Sequence, residues 1–280
     1  MKALNKFLLP ILFISMVFFV SCGSNILKKQ NSQQLKVYFI DVGQGDSILI
    51  QYKGRNMLID AGPSYKEQKL ISFLKSHRIR KLHYVIATHP HEDHIGGMAE
   101  VIKNFKIDKF YAPKITTETK AFINMIAELN KKGLRINIAK AGKNIPFHED
   151  IQTDLLSPLA DKYQELNNYS AVLMVKYKDI SFLFTGDAES IVENQLIKNY
   201  ENIKADVLKI AHHGSTTSTS IDFLKKVNPK YAVISCGLGN DFGHPSMQVL
   251  NNLKLQGIKY NRTDLKGTIL IKTDGYKLSS

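Results

Sequence analysis

The stretch THPHEDHIGG, residues 88–97, holds three histidines, a glutamate and an aspartate within six consecutive positions. A buried strand is predicted over 81–88, so the cluster begins where that strand ends. His89 and His91 are two positions apart, and both can project to the same side of an extended segment. Imidazole and carboxylate groups are ligands of zinc, iron and manganese. The stretch therefore predicts a metal site rather than an ordinary charged turn.

The second half of this stretch predicts the start of a helix. Asp93 and His94 open a segment with helical spacing, residues 93–105. Gly96 and Gly97 allow another backbone to approach this turn closely. Asp93 and His94 can therefore join the two preceding histidines from the same turn.

Two further segments place candidate ligands directly after predicted strands. FTGDAE (184–189) puts Asp187 after one strand, where its carboxylate could bridge two cations. KIAHHGS (209–215) puts His212 and His213 after another. Because ligands from separate strand ends meet at one rim in many α/β proteins, we expect these groups to lie close together.

Strands and amphipathic helices alternate in both halves of the chain, and this pattern predicts an α/β fold. Two sets of strands accompanied by helices favour two mixed β-sheets packed face to face with helices outside, a four-layer αββα sandwich. The predicted domain covers residues 35–275 without an internal linker. The predicted strands are 35–42, 47–52, 56–60, 81–88, 151–156, 171–177, 180–186, 205–211, 231–235 and 267–273, and the predicted helices are 66–78, 93–105, 119–133, 188–199, 220–227 and 246–256.

The N-terminal residues have the pattern of a secretory signal peptide, predicted over residues 1–21. Two lysines precede an apolar run over 7–20, and small residues and Cys22 follow. This stretch resembles a bacterial lipoprotein cleavage site, which implies a lipidated Cys22, a tether over 22–34 and a location on the outer face of the cytoplasmic membrane. Simple cleavage and secretion is the alternative. With Cys22 lipidated, Cys236 would have no partner for an intramolecular disulfide.

The chain is strongly basic, with a formal charge of +13 at pH 7. A basic surface favours polyanions such as nucleic acid, anionic lipid or an anionic wall polymer. The alternative is a solvated, lysine-rich surface without a specific partner.

Several segments together resemble metallo-β-lactamase-fold hydrolases, and more narrowly the extracellular hydrolase domain of DNA-uptake channel proteins of the ComEC type. They follow the family's order and span nearly all of 36–273. The many membrane spans of the channel are absent, so transport is not implied. The matching segments are DVGQGDS (41–47), NMLIDAG (56–62), THPHEDHIGG (88–97), FTGD (184–187), ADVLKIAHHGS (205–215) and SCGLGNDFGHP (235–245).

The resemblance implies two divalent metal ions, zinc or manganese. One ion would be held by His89 and His91, and Asp187 would bridge both. The second would be held by Asp93, His94 and one of His212 and His213. We favour His213, because Gly214 gives its backbone room to turn into the site. His212 would then face the substrate.

The resemblance also assigns roles beyond metal binding. Asp93 would position or deprotonate the attacking water. His212 and His244 would stabilise charge on a phosphate or a leaving group. For His244 the alternative is a histidine at a helix N-terminus beside a capping Ser246. Asp41 and Asp60 are expected to orient ligand histidines without binding metal.

One departure from the family pattern concerns the first metal. Many relatives carry a further histidine before the bridging aspartate, whereas the matching region here has Asn168, Tyr169 and Ser170. The first site would then have few ligands and hold its metal loosely.

The leading hypothesis is metal-assisted hydrolysis by a surface-tethered, monomeric phosphodiesterase, a nuclease acting on DNA. One alternative is a wall-polymer phosphodiesterase such as a phosphorylcholine esterase, which the absence of tryptophan disfavours. Another is a non-catalytic DNA-binding lipoprotein, which the full set of competent metal ligands disfavours.

Overall fold

The strands of the chain form two stacked β-sheets, and this arrangement places the predicted ligands at one end of the molecule. The computed structural model describes residues 33–279. In chain order the strands are β1 Leu35–Phe39, β2 Ile48–Tyr52, β3 Arg55–Ile59, β4 Lys81–Ile86, β5 Lys106–Ala112, β6 Ile136–Ile138, β7 Ile151–Leu155, β8 Leu173–Tyr177, β9 Ile180–Phe184, β10 Val207–Lys209, β11 Tyr231–Ile234, β12 Lys259–Arg262, β13 Ile269–Thr273 and β14 Leu278–Ser279.

Both sheets are mixed. The larger has the order β14-β13-β1-β2-β3-β4-β5-β6, and the smaller has the order β12-β11-β10-β9-β8-β7. Strands β3 to β6 are parallel to one another, as are strands β9 to β12, and all other neighbouring pairs are antiparallel. The loops that follow the carboxyl ends of the parallel strands therefore lie together at one rim of each sheet.

Eight α-helices are assigned in the described residues. They are α1 Glu67–Ser76, α2 Glu92–Ile95, α3 Met98–Asn104, α4 Lys120–Lys131, α5 Ser190–Asn199, α6 Ile221–Val227, α7 Met247–Leu255 and α8 Thr263–Lys266. No helix within residues 33–279 is long and apolar enough to cross a bilayer.

Three apolar layers hold the sheets and helices together. Along β1, Val37 and Phe39 belong to the layer between the sheets, and Tyr38 belongs to the layer between the larger sheet and its helices. In β9, Phe182 faces the other sheet and Leu183 faces the helices on the smaller sheet. Because successive side chains point to opposite faces of a strand, strands with both faces buried read as continuous apolar runs. The predicted αββα sandwich of two mixed sheets is confirmed.

The predicted helix over 93–105 is wrong in one respect, because it is broken between α2 and α3. A Cβ on Gly96 would lie 2.3 Å from the backbone nitrogen of Ser64, and one on Gly97 would lie 2.5 Å from the carbonyl oxygen of Ala61. Glycine is required at both positions because another backbone passes there.

Several element boundaries also differ from the sequence expectation. The strand predicted over 81–88 ends at Ile86, which leaves Ala87 and Thr88 in irregular backbone. Strands β5, β6, β12 and β14 were not predicted, and β14 extends the pairing to Ser279, which is opposite Lys272. The predicted signal peptide and most of the tether lie outside the described residues.

Candidate metal centre

The buried carboxylate of Asp187 lies at the centre of the candidate site, directly after β9. Its Oδ2 is 3.2 Å from Nε2 of His94 and 3.4 Å from Nε2 of His213. Nε2 of His89 and Nε2 of His212 each lie 3.9 Å from the same oxygen. Four imidazoles from two separate segments therefore converge on the carboxylate of a third.

Four residues form a cluster whose ligand atoms all lie within 4.8 Å of one another: Asp93, His94, Asp187 and His213. Oδ2 of Asp93 lies 3.1 Å from Nε2 of His213. Nε2 of His94 and Oδ1 of Asp187 are buried and form no hydrogen bond within the described part of the chain. Orphaned buried polar atoms are costly unless something binds them. This donor set of imidazole and carboxylate fits a divalent transition metal.

His89 and His91 lie beside this cluster. Nε2 of His89 is 3.0 Å from Nδ1 of His91, and their ring centroids are 4.8 Å apart. On its other side, Nδ1 of His89 lies 3.1 Å from the hydroxyl of Thr88. His89 is buried near the Asp187 carboxylate, whereas His91 is partly exposed. Their assignment to the first metal stays a prediction.

Ser170 lies in the region where the family resemblance leads one to expect a further histidine. Its hydroxyl accepts a hydrogen bond of 3.0 Å from the backbone nitrogen of Asp187 and lies 3.5 Å from Nδ1 of His89. Gly186 is needed here, because its φ is 52° and a Cβ would lie 3.1 Å from both Ser170 Oγ and Thr88 Cβ. This region therefore positions the Asp187 carboxylate through its backbone.

Asp60 orients two of the histidines. Nδ1 of His94 donates to its Oδ2 over 2.8 Å, so that Nε2 of that ring points at Asp187. The Thr88 hydroxyl also donates to Oδ2 over 2.7 Å, and the same hydroxyl oxygen faces Nδ1 of His89. A buried carboxylate behind a ligand histidine fixes the tautomer and the orientation of the ring.

The prediction that Asp41 also orients a histidine is wrong, and Asp46 has this role instead. The carboxylate of Asp41 faces away from the histidines, pairing with Lys69 over 2.6 Å and accepting from the backbone nitrogen of Gly43. Asp46 is buried, with Oδ1 3.4 Å from Nδ1 of His213 and Oδ2 2.7 Å from Nζ of Lys209. Both aspartates lie in DVGQGDS, and the presence of a second aspartate there was the only sequence signal for this contact.

The backbone separates His213 from His212. Both residues have left-handed φ values, 48° for His212 and 54° for His213, and Gly214 follows with 88°. Nδ1 of His213 donates to the carbonyl of Ser235 over 2.9 Å, which leaves Nε2 facing the cluster. His212 lies at the rim, with Nδ1 2.9 Å from the hydroxyl of Thr217. Strained backbone of this kind persists where the surrounding structure fixes it, often at functional sites.

His244 lies at the mouth of the site. Its ring centroid is 5.6 Å from that of His212 and 6.4 Å from that of His213. Asn240 holds its backbone, accepting from the His244 nitrogen over 3.0 Å and donating to its carbonyl over 2.6 Å. Ser246 also caps α7 by accepting from Val249. Both alternatives considered for His244 are therefore seen together: it lies beside the capping Ser246 and close to the other histidines.

The charges of the cluster divide its histidines into two kinds. Burial alone would lower the pKa of His94, but Asp187, Asp93 and Asp60 together raise it well above its ordinary value. Burial would likewise lower the pKa of His213, but Asp187 outweighs this effect and raises the pKa well above its ordinary value. In contrast, burial followed by repulsion from His94 holds the pKa of His89 well below its ordinary value.

The pKa values of the two carboxylates and of His244 are lowered, whereas those of His94 and His213 are raised. Burial would raise the pKa of Asp187, but His213 and His94 hold it well below its usual range. The pKa of Asp93 is likewise lowered, since His94 and His213 outweigh its burial. Burial, followed by repulsion from His213 and His212, lowers the pKa of His244 to about 4.

Sequence comparison identifies the class of protein that this fold and site define. Residues 40–238 match the metallo-beta-lactamase superfamily, and the chain belongs to this superfamily, whose members are generally metal-dependent hydrolases. The resemblance inferred from the motifs is confirmed.

Two curated relatives are particularly similar. ComE operon protein 3 of Bacillus subtilis is 35% identical over 257 residues, which cover 85% of this chain and 33% of the relative. Competence protein ComA of Neisseria gonorrhoeae is 32% identical over 231 residues, covering 82% of this chain and 31% of the relative. The chain thus spans about a third of the length of these relatives.

Solved structures agree on the fold. The metallo-beta-lactamase fold protein YhfI from Bacillus subtilis matches with a TM-score of 0.56, covering 85% of this chain and 100% of that one. Its sequence identity is 11%, so this likeness concerns the fold alone.

Proposed function

We propose that this chain is a metal-dependent phosphodiesterase that cleaves DNA outside the cell. The observation that carries the proposal is the buried carboxylate of Asp187, which faces four imidazole nitrogens within 3.9 Å, with Asp93 beside two of them. Two divalent cations bound there would lower the pKa of a shared water and neutralise charge on phosphate oxygens.

The side chains of the site would then divide the work. His94 and His213 present Nε2 to the centre, because Asp60 and Ser235 hold their Nδ1 atoms. Asp93 stays ionised at neutral pH, so it would accept a hydrogen bond from the attacking water and hold it in place. His212 and His244 lie at the mouth, where they would bind phosphate oxygens.

Two further observations support DNA as the substrate. The chain carries a formal charge of +13, which favours a polyanion. Its relatives include a protein named as a competence protein, in keeping with the motif resemblance to DNA-uptake channel proteins. Because the chain covers about a third of these relatives, any part in uptake itself lies outside the proposal.

Asp187→Asn tests the proposal, since it keeps the size of the side chain and removes its charge. We expect cleavage of DNA and of bis(p-nitrophenyl) phosphate by the manganese- or zinc-loaded protein to fall about 10²-fold or more. DNA affinity should stay within a few-fold, because it depends on lysines spread over the surface. Surviving cleavage would contradict the two-metal assignment. A loss of both cleavage and binding would identify Asp187 as a folding residue.

We also propose that a lipid on Cys22 tethers the protein to the outer face of the cytoplasmic membrane. The apolar run before Cys22 and the polar residues after it support this proposal. Cys22→Ala should release the protein from the membrane fraction or block its processing. A variant that fractionates like the wild type would contradict the proposed anchor.

A further inference from the structure

Large apolar side chains are exposed at the rim of the site, next to His244. Leu238, Phe242 and Met247 are 79%, 69% and 69% exposed. The Phe242 ring stacks on the His244 ring with centroids 5.7 Å apart and planes 21° apart. Exposed apolar groups that cluster beside a site commonly mark a binding surface.

Tyr65 belongs to the same rim through a chain of contacts. Its hydroxyl lies 3.4 Å from the position of a Cβ on Gly43, and Nζ of Lys66 lies 5.6 Å from its ring centroid. The next residue, Gln44, accepts a hydrogen bond of 3.0 Å from the backbone nitrogen of Gly237, which precedes Leu238. We call the four side chains Tyr65, Leu238, Phe242 and Met247 the apolar rim.

The apolar rim is continuous with the metal centre. The loop that contacts it continues to Asp46, whose backbone nitrogen donates to the carbonyl of Asp93 over 3.1 Å. A Cβ on Gly45 would lie 2.2 Å from that same carbonyl oxygen, so the loop lies directly against the Asp93 backbone. A ligand that contacts the apolar rim can therefore also reach the cluster.

A lysine-lined groove lies beside the same centre. Its volume is about 520 Å³, and its lining includes Lys114, Lys140, Lys162 and Tyr169. Tyr169 is adjacent in sequence to Ser170, which contacts both Asp187 and His89. Lys140 pairs with Asp161. Lys114 follows the carboxyl end of β5, which is the strand next to β4 and therefore lies beside the loop that carries His89 and His91. This groove would suit a chain of phosphates.

We propose that the apolar rim stacks against the unpaired bases of single-stranded nucleic acid while its phosphates follow the lysine-lined groove. The inference rests on the proposed function and specifies that its DNA substrate is single-stranded. Aromatic side chains beside a basic groove are the usual means of binding single strands, because every base has an accessible π-face. In a duplex those faces are stacked inside the helix, so the apolar rim would have nothing to contact.

The test measures binding without cleavage, in EDTA. A labelled oligo-dT of about 20 nucleotides is compared with an abasic strand and a duplex of equal length. We expect Phe242→Ala and Tyr65→Ala each to weaken oligo-dT binding about 10-fold. Binding of the abasic strand and the duplex should change less than about two-fold, because neither offers a base face.

Matched controls exist at the other end of the sandwich. Tyr276 is 61% exposed and has Nζ of Lys178 4.5 Å from its ring centroid, an arrangement like that of Tyr65 and Lys66. It adjoins the turn between β8 and β9, whereas Asp187 follows the opposite end of β9. Leu255, 73% exposed, matches Leu238. Tyr276→Ala and Leu255→Ala should leave oligo-dT binding unchanged, and thermal melting checks that every variant folds.

Two results would overturn the inference. One is an equal loss of oligo-dT and abasic-strand binding in the rim variants, or no loss at all. The other is unchanged oligo-dT binding with reduced binding to vesicles of phosphatidylglycerol and phosphatidylethanolamine, which would make the apolar rim a membrane contact. Rim-dependent binding of oligo-dT without cleavage in any metal would instead contradict the proposed function alone.

Discussion

Oδ2 of Asp46 lies 2.7 Å from Nζ of Lys209, and both side chains are buried. The pair joins the loop between β1 and β2 of the larger sheet to β10 of the smaller sheet, directly beneath His213. Burial would raise the pKa of Asp46, but Lys209 and His213 hold it below its usual range. A buried ion pair gives little net stability by itself, because desolvation offsets the attraction. Its contact with His213 indicates that it positions that ring.

Lys209→Met should therefore affect both folding and metal binding. Removing the ammonium leaves the Asp46 carboxylate buried without its cation, which is expected to lower the free energy of unfolding by about 3–5 kcal/mol. Urea unfolding measures this change, and chelator competition measures the affinity for manganese or zinc, which should fall because His213 loses its fixed orientation.

The double variant Asp46→Asn/Lys209→Met separates the two effects. With both charges removed, most of the lost stability should return, since the two substitutions act on one interaction. Metal affinity should stay low. If the double variant recovers metal affinity together with stability, the pair is only a packing element between the two sheets.

Asp60 and Asp41 offer a matched pair of aspartates for the orientation of the ligand histidines. Asp60→Asn weakens the acceptor that holds His94 directly and His89 through Thr88, so metal affinity should fall about 10- to 100-fold. Asp41→Asn removes only the contacts to Lys69 and Gly43 and should leave metal affinity unchanged. Isothermal titration with manganese measures both, and equal losses in the two variants would contradict the assignment.

Metal binding should release protons at neutral pH. The raised pKa values of His94 and His213 mean that both rings carry a second proton at pH 7 in the metal-free protein. A metal must displace it from Nε2 of each ring, so we expect about two protons to leave and the apparent affinity to rise from pH 6 to pH 8. Titration in buffers of different ionisation enthalpy counts these protons.

His89 provides the control for this count. Its pKa is lowered, so its ring is already neutral at pH 7 and has no extra proton to release. Removing the His89 imidazole should therefore leave the number of protons released on metal binding nearly unchanged while lowering the affinity for metal. Titration heats that do not depend on the buffer would show that His94 and His213 are neutral before metal binds.

The sequence predicted the layers of the fold because burial on both faces makes strands such as β9 continuous apolar runs. It did not predict the break between α2 and α3, because only the tertiary structure brings the backbones of Ser64 and Ala61 against Gly96 and Gly97. It also missed β6, where all three residues are partly exposed and the apolar pattern is weak.

The candidate ligand residues could be proposed from the sequence because they follow strands and cluster in short motifs. The groups behind them could not. Asp46 and Lys209 are 163 positions apart (209 − 46), and a lysine within an apolar strand gives no indication that it is buried beside a carboxylate. The loop geometry likewise decides that Asp46, and not Asp41, contacts a histidine, through the backbone hydrogen bond from Asp46 to Asp93.

The ring of His244 is expected to act as a neutral hydrogen-bond donor. With its pKa lowered to about 4, its ring is neutral at pH 7, and only about one ring in a thousand carries a second proton. An imidazolium acid at this position would therefore be almost absent, and activity depending on it would fall as the pH rises through 4. A neutral ring can still donate one hydrogen bond to a phosphate oxygen.

Glutamine can replace such a neutral donor but cannot replace an acid. We expect His244→Gln to keep phosphodiesterase activity within about 10-fold of the wild type, and His244→Ala to lose about 10- to 100-fold more. The pH–rate profile of His244→Gln between pH 5 and pH 8 should match that of the wild type, because His244 does not titrate in that range. Equal losses in the two variants, together with an altered profile for His244→Gln, would instead assign proton transfer to the leaving group to this histidine.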